Sequence, residues 1–108
     1  MNRAVLDAVI RHVLNEVAKD RHAVTCHAAN RAVQRSIKLG DLIQAAKDGT
    51  LKWISHWVDY AHEEVKLKVE FRGDAPERRL RAVVAVSSDL ETVTLVTVMA
   101  VGEEDETP

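Results

Sequence analysis

The stretch Val65-Lys66-Leu67-Lys68-Val69-Glu70-Phe71 alternates an apolar with a charged residue at every step. Side chains of a β-strand point alternately to its two faces, so this pattern predicts a strand with one buried and one solvated face. Three other runs after Gly49 also predict strands: residues 51–57, 80–86 and 93–101. The last two runs are β-branched and largely apolar, which places them in the middle of the sheet with both faces covered or nearly so.

Turns at residues 73–77 and 87–91 join these runs, and such short links between consecutive strands predict an antiparallel meander.

The part of the chain before Gly49 has the periodicity of helices rather than of strands. Apolar residues recur every three or four positions from about residue 3 to about residue 20, which predicts one long amphipathic helix.

Two shorter helices follow the first. Thr25 is a suitable N-cap for the second, and Asp41 for a third that runs from Leu42 to about Lys47 and stops at Gly49. The predicted fold is α+β, with three N-terminal helices packed on a four-stranded antiparallel sheet. We expect a single α+β domain over residues 1–101, followed by an acidic flexible tail at residues 102–108.

The distribution of charge limits the partners. Residues 1–54 hold nine Lys and Arg against five Asp and Glu, whereas residues 55–108 hold six against twelve. Four of those acids lie in the predicted tail, at residues 103–106. A protein that binds duplex DNA broadly is normally far more basic, so this class is disfavoured.

Cysteine and histidine usage gives further expectations. Cys26 is the only cysteine, so no internal disulfide forms, which fits a cytoplasmic protein. The start of the chain lacks a long apolar run, so we expect neither a signal peptide nor a membrane span. The spacing of the five histidines gives no metal-ligand motif, and we expect neither a metal nor a cofactor.

His27, Arg31 and Arg35 are spaced one helical turn apart, which predicts that they share a face of the second helix. An imidazole and two guanidiniums suit an anionic partner, with phosphate the first candidate. The alternative is structural: a solvated face with ion pairs to Asp41 or to the strands, or an Arg31 that is partly buried and bridges the helix to the sheet.

The pattern Thr25-x-His27-Ala28-x-x-Arg31-x-x-x-Arg35-x-Ile37, followed by Asp41-Leu42-Ile43 and Gly49, resembles an uncharacterised bacterial domain family. That family is related to the RelE/ParE-like and colicin-type small ribonuclease toxins, and the similarity covers roughly residues 24–101. The long first helix and the acidic stretch at residues 59–64 depart from the family pattern.

The resemblance implies metal-independent endoribonuclease activity. In that case His27 is the acid or base, Arg31 and Arg35 hold the phosphate, and Thr97 adds a hydroxyl donor if its side chain points towards the helix. A second acid or base has to be sought among His56, His62 and Glu63.

A non-catalytic interaction protein is the alternative, such as an antitoxin, an immunity protein, an accessory factor or a homodimeric binding module. The acidic tail favours it, because RNA-binding toxins tend to be strongly basic. Residues 93–101 carry no charge, so this strand should be central or covered by another chain. The expected partners are therefore RNA, a protein or a second copy, and whether the chain is an enzyme stays open.

Overall fold

A computed structural model describes residues 2–73 and 78–101 of the chain. The elements follow in the order α1 (Arg3–Ala18), β1 (Ala23–Val24), α2 (Cys26–Gln34), α3 (Leu39–Asp48), β2 (Lys52–Asp59), β3 (Glu64–Arg72), β4 (Arg79–Ser87) and β5 (Val93–Ala100). The α+β class is confirmed. The predicted tail at residues 102–108 and most of the predicted turn at 73–77 lie outside the described residues.

The sheet has five strands in the order β1-β5-β4-β3-β2. The four predicted strands, β2 to β5, form the expected antiparallel meander. The prediction of a four-stranded antiparallel sheet is nevertheless wrong, because Ala23 and Val24 form a short strand parallel to β5. Two residues are too few to show the period of a strand, so β1 left no signal in the sequence.

The helix boundaries agree with the sequence at two of the three predicted signals. The Thr25 side chain accepts a hydrogen bond from the Ala28 N–H and caps α2, and Gly49 ends α3 in the left-handed conformation at φ 72°. The predicted Asp41 cap is wrong, since α3 already begins at Leu39. Asp41 lies in its first turn, where a carboxylate is favoured by the helix dipole.

The core lies between the three helices and one face of the sheet. Its fully buried side chains include Val17 of α1, Leu42 of α3, Leu67 of β3 and Leu95 of β5. The first helix packs against α3 and against β5, as predicted for a helix on the domain's own sheet. This arrangement sets α2 over β5, near one edge of the sheet, and leaves β2 at the other.

Candidate functional site

The beginning of α2 is fixed to β5 by Thr25. Its N–H donates to the Leu95 carbonyl oxygen at 3.1 Å, and its hydroxyl donates to the Val96 carbonyl oxygen at 3.0 Å. Val96 lies at an irregularity of β5: Thr97 pairs with Val83 and Leu95 pairs with the next residue of β4. Such a bulge frees carbonyl groups that the regular ladder would use, and Thr25 binds one of them.

The end of α2 is fixed to the same strand by Arg35. Its guanidinium donates to the Val98 carbonyl oxygen at 2.9 Å. The guanidinium of Arg78 in turn donates to the carbonyl oxygens of Arg35 and Ser36, at 3.0 Å and 2.9 Å. Arg35 is the C-cap of α2, so its carbonyl group is one of those that a helix leaves without an intrahelical partner. The helix is thus held in one position at both ends.

The three residues of the predicted stripe do not share one environment. Four residues of an α-helix turn it by about 40° more than one full turn, so a stripe at i, i+4 and i+8 rotates around the helix. His27 is exposed, Arg31 is half-buried, and Arg35 has rotated far enough to reach the backbone of β5. Arg35 therefore performs the helix-to-sheet bridging that the sequence suggested for Arg31.

The outward side of α2 carries the polar residues His27, Asn30, Arg31 and Gln34, together with the exposed apolar residue Val33. The side chains of His27 and Arg31 form no hydrogen bond or ion pair with any residue in the ranges 2–73 and 78–101. The segment from residue 21 to residue 40 contains four Lys and Arg and no Asp or Glu. Asn30 and Gln34 were missed by the sequence reasoning, although each lies three residues from a member of the predicted stripe. The exposed surface of α2 therefore carries no acidic side chain, and it includes one large apolar residue, Val33.

Thr97 lies on the other side of the sheet. Strict alternation from Val93 would place it with the core residues, but the bulge at Val96 shifts the alternation, so that Leu95 and Val98 both face the core. Thr97 pairs with Val83, which flanks the core-facing Ala82 and Val84 and points away from the helices. The structure therefore does not bring Thr97 to His27, Arg31 and Arg35.

The candidates for a second acid or base also lie elsewhere. His56 belongs to β2, while His62 and Glu63 belong to the turn after it. Two strands separate β2 from β5, which places the backbones of β2 and β5 about 14 Å apart. Among the described residues, no acid–base pair is assembled around His27.

A second cluster of polar side chains lies at the β2–β3 turn. Oxygen and nitrogen atoms of Asp59, His62 and Glu64 lie within 4.8 Å of one another, as metal ligands do. The ammonium group of Lys66, however, lies 2.9 Å from the Asp59 carboxylate, which also accepts from His62 Nδ1 at 2.9 Å. These bonds, first that from Lys66, lower the pKa of Asp59 from 3.8 to about 2. The cluster is therefore an ion-pair network, in which the Lys66 ammonium group supplies the positive charge that a metal ion would otherwise bring.

No described helix has both the length and the apolar character needed to cross a membrane. No protein-family model, curated protein or solved structure matches the chain, so the contacts of α2 and the residues it exposes are the grounds for any proposal.

Proposed function

We propose that the chain binds the phosphate backbone of RNA through the outward side of α2. One observation carries the proposal: the exposed His27 and the half-buried Arg31 lie one turn apart in a segment without acidic residues, and neither side chain is bound to another described residue. Side chains at this spacing have Cβ atoms about 5–6 Å apart, so both reach one phosphate group.

The chemistry of the four side chains fits a phosphate. Arg31 offers a planar set of donors that matches phosphate oxygens, and His27 adds a ring N–H. The amides of Asn30 and Gln34 are further donors to the phosphate or the ribose. His27 lies in the first turn of α2, where the positive end of the helix dipole favours an anion.

RNA is the proposed polyanion because of the resemblance of residues 24–101 to the RelE/ParE-like toxin group. The proposal is for binding rather than cleavage. Thr97 lies on the opposite face of the sheet, Arg35 is bound to the backbone of β5, and His56 and His62 lie near the far edge. The single arginine contact implies weak binding, and the affinity falls with salt at a log–log slope of about −0.7.

The test is fluorescence anisotropy with a labelled single-stranded RNA at low salt. We expect the double variant His27→Ala/Arg31→Ala to bind at least about tenfold more weakly than the wild type, and to lose most of the salt dependence. The matched control is Arg11→Ala, which removes one exposed positive charge from α1. Equal losses in both variants, or no binding by the wild type, would contradict the proposal.

The same samples test the catalytic hypothesis. Cleavage of the RNA by the wild type, with loss of cleavage in His27→Ala, would favour an endoribonuclease over a binding domain. Intact RNA after incubation with the wild type, together with measurable binding, is the result that we expect.

A different observation favours the second candidate function, which is non-catalytic protein interaction. The described residues include eight large, exposed apolar side chains, and five of these lie between Trp53 and Tyr60. That surface belongs to β2, at the opposite edge of the sheet from α2, so it is independent of the RNA proposal.

A further inference from the structure

We infer that β2 pairs with β2 of a second copy of this chain, which joins two five-stranded sheets into one continuous sheet. β2 is the last strand of the sheet and pairs only with β3. Its other edge contacts no strand in the described ranges, and backbone N–H and C=O groups at such an edge are available to another strand.

The side chains of β2 have the exposed, aromatic and uncharged character that is typical of a protein–protein interface. Trp53 and Trp57, the only tryptophans of the chain, are 42% and 41% exposed, and Tyr60 just after the strand is 85% exposed. Residues 53–58 contain no charge and no proline, which are the usual means of blocking an edge strand. The opposite edge of the sheet differs from this one. There the side chains of Thr25 and Arg35 bind outer carbonyl groups of β5.

The register of β2 with β3 decides on which face of the sheet each side chain of β2 lies, and so which residues of two copies can pair. The strand is irregular between Trp53 and Ser55 and regular from Ser55 to Asp59. The pairing with β3 assigns a face to each residue of the regular part: His56 and Val58 lie on the helix side, and Ser55, Trp57 and Asp59 lie on the other.

An antiparallel pair with its two-fold axis at Trp57 matches these faces. Each Trp57 then lies opposite its equivalent, His56 opposite Val58, and Ser55 opposite Asp59, so every pair has both side chains on one face. Any axis at a residue pairs side chains of one face, whereas an axis between two residues pairs opposite faces. The axis at Trp57 is the one that centres the regular segment from Ser55 to Asp59, so all five of its residues pair within that segment. The axis at Trp57 also leaves the bulge outside the paired segment.

Charge complementarity specifies a second copy rather than another partner. Lys52 begins β2, is exposed, and has no ion pair with a described residue. Beyond the other end of the strand, Glu63 lies in the turn and Glu64 begins β3, whereas the Asp59 carboxylate is already bound to Lys66. The two-fold axis sets the basic beginning of each β2 beside the acidic end of the other, so the same complementary contact forms twice.

The first experiment is the molar mass of the full chain by light scattering over a dilution series. We expect a dimer with twice the 12.0 kDa mass of the chain. Trp57→Lys places two like charges opposite each other and should yield a folded monomer. The matched control is Val33→Lys, since Val33 is an exposed apolar residue on α2, and this variant should stay dimeric.

The second experiment tests the register without depending on the lysine variant. Backbones of directly paired residues lie close enough for a disulfide. Trp57→Cys in a Cys26→Ser background should therefore cross-link two chains under mild oxidation. Trp53→Cys in the same background should not, because the two equivalent positions are eight residues apart in this register, or about 26 Å.

A monomer at every concentration would overturn the inference, as would a dimer that Trp57→Lys leaves intact. Equal cross-linking from Trp53→Cys and Trp57→Cys would exclude the proposed axis. A monomer that instead adds an extended peptide along β2 would show that the edge serves a different protein.

Discussion

The guanidinium of Arg35 donates a 2.9 Å hydrogen bond to the carbonyl oxygen of Val98, and so joins the end of α2 to the outer edge of β5. β1 pairs with β5 only as far as Leu95, and Arg35 and Thr25 bind carbonyl groups beyond that point. The uncharged last strand was expected to be central or covered by another chain. The structure shows that it is covered within the chain, by β1 and by two side chains of the α2 region.

Arg35→Ala should lower the free energy of unfolding by about 1–3 kcal/mol, because it removes a charged donor and leaves the Val98 carbonyl oxygen without this bond. Arg31→Ala removes the same charge from the same helix without removing a described hydrogen bond, and should change stability by about 0.5 kcal/mol or less. Urea denaturation of the two variants measures the difference. Equal losses would mean that the Val98 contact contributes nothing.

Thr25→Ala should destabilise the chain by about 1–2 kcal/mol, since one hydroxyl both caps α2 and donates to Val96. Thr25→Ser keeps the hydroxyl and should retain most of the stability. The thermal midpoints of both variants give the comparison, and a serine variant as unstable as the alanine variant would argue against the hydroxyl as the cause.

Two glycines at the ends of α3 should respond in opposite directions to alanine. Gly49 has φ 72°, and Gly40 lies within the helix, while an added Cβ would meet nothing within 4 Å at either position. Gly49→Ala should cost about 1 kcal/mol because an L-residue is strained in the left-handed region. Gly40→Ala should stabilise by about 0.5 kcal/mol through the helix propensity of alanine. Chemical denaturation measures the change in the free energy of unfolding for each variant. Two changes of the same sign would contradict the prediction.

Asp59 makes stability depend on acid pH. Its pKa in the folded chain is about 2, against an ordinary value of 3.8, chiefly because of Lys66. A lowered carboxyl pKa stabilises the fold above the ordinary value, and this stabilisation is lost as the pH falls through about 2. Unfolding measured between pH 5 and pH 2 should therefore show a smaller decline for Asp59→Asn than for the wild type.

The same ion pair can be followed directly. Lys66→Gln should move the pKa of Asp59 up towards its ordinary value, as observed by an NMR titration of its carboxyl carbon. An unchanged Asp59 titration in this variant would show that Lys66 is not its main partner.

The sequence predicted the elements whose patterns are long or chemically marked. Alternation over residues 65–71 predicted β3, and Thr25 and Gly49 marked the start of α2 and the end of α3. It could not predict β1, since two residues carry no period. It also misplaced the start of α3, because Asp41 satisfies the preferences of an N-cap and of a first-turn residue equally well.

Only two residues of the candidate site, His27 and Arg31, were predicted from the sequence. Helical spacing correctly placed His27 and Arg31 together on α2. It could not show that Arg35 turns to the sheet, which depends on where β5 passes beneath the helix. Nor could it place Thr97, whose face is decided by one extra residue at the β5 bulge.

The attachment of α2 to β5 has a consequence for the order of folding. Thr25 and Val96 are 71 residues apart in the chain, and Arg35 and Val98 are 63 apart. Contacts so distant form late, because a long loop must close before they contribute. Until then α2 is a nine-residue segment, too short to remain helical by itself in water. The surface that carries His27 and Arg31 is thus acquired only when the last strand is in place, and any local opening of that strand releases it again.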